Sequence, residues 1–77
     1  MVTTALVTIA EANARCLIET NQMKAAQAQD IANSFLTSKG MSDTERDEVK
    51  SAPCYYDLRR RYNDEQGGCE ELVRKLR

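Results

Sequence analysis

The chain has 77 residues, with 11 basic and 12 acidic side chains, a net charge of −1, three cysteines and no histidine. That length holds a single domain, 1–77, with a modest core, and the charge balance lacks the basic excess on which free-standing nucleic-acid-binding modules draw. Without histidine, general acid–base work would fall to carboxylates, which cluster on charged surface turns. No stretch nears the ~18 apolar residues of a membrane span, and Glu11, not a basic residue, is the first charge of the N-terminus. A small soluble cytoplasmic protein is therefore expected.

Composition shifts near Gly40. Residues 1–40 hold eight of the nine alanines and only six charged residues, against seventeen in 41–77. The first part reads as a scaffold and self-association element, the second as a set of short charged helices. From Thr3 to Lys39 there is no glycine or proline. Thr4 is an N-cap candidate, and Leu6, Ile9, Ala10, Asn13, Cys16 and Leu17 follow helical spacing. A second stripe takes in Ala25, Ala28, Ile31, Ala32, Phe35 and Leu36. Leu17 and Ala28 are eleven residues apart, close to three turns, so both stripes share one face of a continuous helix. The polar run Glu19-Thr20-Asn21-Gln22 is its weak point, where Thr20 or Asn21 would cap a new helix and fold the segment into a hairpin. Phase coherence and the absence of a breaker favour the single long helix, which the rest of the chain is too short to cover.

Beyond it, Gly40 suits the left-handed position after a helix. The run from Ser42 to Glu45 fits a capping box that opens the next helix, whose acidic start and Lys50 agree with the helix dipole. Pro53 suits the first position of a further helix. Gly67-Gly68 closes that helix, and Cys69, Leu72, Val73 and Leu76 form the buried side of a last one. No alternating β-branched run competes. The expected fold is all-α, with four or five helices.

The segment CYYDLRRRYNDEQGGCEEL, 54–72, carries the least ordinary chemistry. Tyr55, Leu58 and Tyr62 share a helical face and read as core anchors. Arg59, Arg60 and Arg61 point in three directions, because helical neighbours lie ~100° apart. Asp57–Arg61, Arg60–Asp64, Arg61–Glu65, Glu70–Arg74 and Glu71–Lys75 are spaced for ion pairs. Arg59, flanked by tyrosines at the margin of the apolar face, has the composition of an interface hot spot. Tyr56, Arg59 and Arg60 are accordingly the expected partner-binding residues, with cation–π packing inside the domain as the structural alternative. Cys54 follows Pro53 at a helix start and is the one candidate reactive thiol. Cys16 and Cys69 read as small buried apolar groups, and a Cys54–Cys69 bridge is conceivable. The spacings 16, 54 and 69 match no zinc pattern, and reduced thiols are expected, with no metal and no cofactor.

These readings converge on a non-enzymatic protein–protein interaction module: an adaptor, modulator or stoichiometric inhibitor of a larger assembly. A homodimer is expected through Leu6, Ala10, Leu17, Ala28, Ile31 and Phe35. The alternative is a small nucleic-acid-binding regulator using Arg59, Arg60, Arg61, Arg74, Lys75 and Arg77. A redox-responsive thiol protein comes third.

Overall fold

Helical propensity without breakers carries the chain from Val2 to Glu19 as α1. Thr4 lies inside this helix and does not cap it. The computed structural model describes residues 2–76. Four further helices follow, α2 (Ala25–Ser38), α3 (Asp43–Ser51), α4 (Tyr55–Glu65) and α5 (Cys69–Leu76), with no strand among the described residues.

The single long helix is not formed; residues 20–24 break it and fold α2 back on α1. Asn21 takes φ 59°, the left-handed conformation that asparagine tolerates better than any residue but glycine. Its N–H then donates to the Ile18 carbonyl at 3.0 Å, and that of Gln22 to Leu17 at 2.9 Å. This pair of bonds is the Schellman closure. Thr20 Oγ1 donates to the Cys16 carbonyl at 2.8 Å, a second bond beside the one from its own N–H at 3.0 Å. Lys24 is extended and precedes α2, its N–H donating to Gln27 Oε1 at 3.2 Å.

The same closure recurs at two glycines. Gly40 and Met41 donate to Thr37 and Leu36 at 3.0 and 3.1 Å, and Gly67 and Gly68 to Asp64 and Asn63 at 3.0 and 2.9 Å. The Ser42–Glu45 capping box forms as expected, with Glu45 N–H on Ser42 Oγ and Ser42 N–H on Glu45 Oε1, both at 3.2 Å. Pro53 falls in the turn before α4, whose N-cap is Cys54, and is not its first helical residue.

Helix α1 packs against each of the other four, while α3 also meets α4. Its buried residues, Val7, Thr8, Ala10, Glu11, Ala12, Ala14 and Cys16, therefore run around the helix and are not confined to one stripe. A helix surrounded on all sides needs small or apolar side chains on all sides, and alanine and threonine supply them here. Ala10, Ala14, Ala28 and Ala32 are buried together with Val7, Leu36, Val49 and Tyr55 in one cluster. A second cluster, Cys16, Leu72 and Val73, seats α5 with Leu17 and Tyr62 beside it.

Cys16 and Cys69 are joined by a disulfide with a Cα–Cα distance of 5.0 Å. The expectation of three reduced thiols is thereby corrected. So is the Cys54–Cys69 bridge: α4 separates the two residues by about 16 Å of helix, whereas a disulfide spans at most about 7 Å between Cα atoms. Cys54 remains free and exposed. Among the described residues no helix is long and apolar enough to cross a membrane.

Candidate functional site

Alanines on both arms of the hairpin leave a concavity where larger side chains would have filled the space. Ala10, Ala14, Ala28 and Ala32 form its floor, and Ile9, Leu17, Ile31 and Phe35 its walls, around a volume of about 160 Å³. Ile31 is 52% and Phe35 38% exposed, although both are large and apolar. Lys39 Nζ sits 5.6 Å from the centre of the Phe35 ring, placing one positive charge at the mouth. Toward the α5 end a second depression shares Asn13, Leu17 and Ile31 with the groove and adds Met23, Val73 and Leu76. Leu76 is 48% exposed. The result is an apolar channel along the hairpin.

The six residues expected to mediate self-association divide. Ala10 and Ala28 are buried within the chain, Leu6 and Leu17 half-buried, and Ile31 and Phe35 exposed. Folding the rod into a hairpin covers the alanines that the expectation left open, and brings Leu17, Ile31 and Phe35 to one groove.

Tyr56, Arg59 and Arg60 lie on α4, on a surface of their own. The Arg59 guanidinium is 5.5 Å from the Tyr55 ring centre and 5.1 Å from that of Tyr56. Both the structural alternative and the exposed edge are therefore present: Arg59 is half-buried against buried Tyr55, while Tyr56 and Arg60 face solvent. The ion pairs expected within α4 are not formed among the described residues. In α5, Glu71 pairs with Arg74 at 3.3 Å, and Lys75 donates to Gln66 Oε1 at 3.3 Å, in place of the two pairs expected.

The basic residues of the nucleic-acid alternative are drawn in different directions. Arg59 stacks on tyrosines, Arg61 lines a depression between α1 and α4 with Glu65, and Arg74 is paired. Arg77 lies outside the described residues. No three Cys, Asp or Glu side chains converge to hold a metal ion among the described residues.

Two sets of contacts lay beyond the sequence reading, although Tyr62 itself was expected in the core. Glu11 is buried in α1 with its side chain 4% exposed, and Oε1 lies 3.2 Å from Lys50 Nζ and 3.6 Å from Arg46 Nη2. Arg46 also donates to Asn33 Oδ1, tying α3 to α1 and α2 together. Tyr62 donates to Asn13 Oδ1 at 3.2 Å, and burial raises its phenol above the ordinary value of 10.0. Capping and charge order signal α3, but nothing local to Glu11 names partners so distant in the chain.

Compared with protein-family models, curated proteins and solved structures, the chain matches none.

Proposed function

We propose that this chain is a protein–protein interaction module, an adaptor or stoichiometric inhibitor, that seats an amphipathic helix of a partner protein in the groove between α1 and α2. One observation carries the reading: Ile31 and Phe35 stand exposed on the rim of an alanine-floored apolar groove. Leaving Ile31 52% and Phe35 38% exposed forgoes roughly 1 kcal/mol of burial at each, which binding recovers. A groove between parallel helical ridges fits a third helix presenting apolar residues at i, i+3 or i+4 spacing. Lys39 beside Phe35 favours a partner with a carboxylate next to its apolar anchor.

A convex ridge fills this shape better than a second groove. Two copies apposed through the same patch, as two-fold symmetry requires, must each use the Ile31–Phe35 rim as the ridge for the other's groove, whereas a foreign helix leaves both walls in place. The partner is accordingly a different protein, with the homodimer as the competing occupant. Action by occupancy is supported by the chemistry as well: Glu11, the one buried carboxylate among the described residues, is held between two cations. The Cys16–Cys69 bond supports an oxidising compartment over the cytoplasm.

A second reading keeps Tyr56, Arg59 and Arg60 as the contact surface, because Tyr56 is 61% exposed while stacked with Arg59. Both are tested by recovering the partner bound to the native chain, purifying it and titrating variants against it. The groove reading expects Ile31→Glu and Phe35→Ala each to weaken binding at least about tenfold, a loss of roughly 1.4 kcal/mol, with helical content kept. Tyr56→Ala should then bind normally. The opposite pattern transfers the function to α4. A two-copy mass with no second protein, lost in Ile31→Glu, makes the occupant another copy of this chain.

A further inference from the structure

We propose that the Cys16–Cys69 disulfide is a redox latch on the interaction groove: opened by a dithiol reductant, it releases α5 and removes Val73 and Leu76 from the groove's end. The proposal rests on the groove being the binding surface.

Three observations lead to it. The cluster that holds α1 to α4 together contains no residue of α5, which is seated by a separate cluster made of Cys16, Leu72 and Val73. Helix α5 has eight residues, too few to stay helical unsupported, and its packing is chiefly on α1. Val73 and Leu76 line the depression that shares Asn13, Leu17 and Ile31 with the groove. The bond that keeps this short helix in place therefore also completes one end of the binding channel, while the rest of the fold has its own core.

The two sulfurs are unequally placed for exchange. Cys16 is fully buried, whereas Cys69 is half-buried at the start of α5. A reductant thiolate attacks the Cys69 sulfur, and the S–S bond breaks with its electron pair on Cys16, which takes a proton from water. Asn63 Oδ1, 3.8 Å from that sulfur, stands ready to accept from the new thiol. The second thiol of the reductant then displaces Cys69 as thiolate and leaves as its own disulfide. Two electrons pass to the protein, and two thiols result. Cys54 takes no part, since the length of α4 lies between it and Cys69.

Amide hydrogen exchange on the whole chain, before and after treatment with dithiothreitol, tests the latch. Reduction should strip α5 amides of protection by roughly 100-fold while those of α1 and α2 stay within about threefold, and methyl signals of Leu17 and Ile31 should shift. The Cys16→Ala/Cys69→Ala variant should reproduce the reduced pattern without added thiol. Unchanged protection in α5 overturns the proposal. Loss of protection throughout α1 and α2 also overturns it, because the bond is then a staple for the whole fold. A chain that releases α5 while its Ile31→Glu variant still binds the purified partner loses the groove reading and keeps the latch. One that retains α5 loses the latch, whatever Ile31→Glu does.

Discussion

At Glu11 a carboxylate with 4% of its side chain exposed faces one ammonium and one guanidinium. Glu11→Ala leaves Arg46, whose side chain is 11% exposed, without its central partner, while Lys50 turns to water. A loss of about 2–4 kcal/mol is expected in urea unfolding, against less than about 1 kcal/mol for Lys50→Ala. Equal effects would mean that burial of the charge is not what sets the cost. The two core tyrosines should respond oppositely to loss of the hydroxyl. Tyr55 buries an oxygen with no hydrogen-bond partner among the described residues, so Tyr55→Phe is neutral or stabilising by up to about 1 kcal/mol. Tyr62→Phe gives up the bond to Asn13 and costs about 1 kcal/mol. Because burial raises the Tyr62 phenol, the folded state holds its proton more tightly than the unfolded one. That contribution is whole below the ordinary value of 10.0 and fades as pH rises toward the folded value. The fall in stability above pH 10 should therefore be shallower in Tyr62→Phe. The place of Tyr55, Leu58 and Tyr62 on one face was legible from helical spacing. The burial of Glu11 was not, because its partners lie on a helix more than thirty positions away.

Among the helices, the boundaries at Gly40, Ser42 and Gly67-Gly68 were readable, the starts assigned to Thr4 and Pro53 were misplaced by a few residues, and the break at residues 20–24 was passed over. Ser42 with Glu45, Gly40 and the Gly67-Gly68 pair each have one dominant local use. Asn21 has two, as an N-cap or as a left-handed C-terminal residue, and apolar phase continued through it. The left-handed use won because it lets α2 bury Ala28, Ala32 and Leu36 against α1. Asn21→Ala should cost about 1 kcal/mol through the strain of a left-handed Cβ, while Asn21→Gly should match or exceed the native chain in thermal melts. An alanine variant as stable as the native chain would show that the break does not depend on this residue. The same hairpin requires small side chains where its arms meet. Ala28 is 1% exposed, and Ala28→Leu should lose about 1–3 kcal/mol by overpacking, with the groove widened and partner binding changed.

For the molecule as a whole, fold class and helix order were within reach of composition and periodicity, while the arrangement around α1 was not. Its charges are sparse, only Glu11, Arg15 and Glu19, and its small residues lie on every side. That pattern is consistent with one covered stripe or with burial all round, and only the four later helices decide between them. The groove was partly legible, since Leu17, Ile31 and Phe35 were singled out, but as a strip on a rod and not as walls of a cleft. The disulfide escaped because residues 16 and 69 are separated by 53 positions, and only the docking of α5 on α1 brings them together. Glu19 Oε2 lies 3.5 Å from the Cys69 sulfur, where its charge repels an approaching thiolate. Glu19→Gln should speed reduction of the disulfide several-fold at low salt and much less at high salt, followed by thiol release.

The helix that touches all the others is also the earliest of the five to be synthesised. During translation it leaves the ribosome with its alanines and valines still wet, and its burial waits on every segment that follows. Assembly can then proceed by successive additions around this one axis, α2 first and α5 last. A mutation that unwinds this axis would harm each addition in turn, whereas an error in the final helix is met only after the others are home.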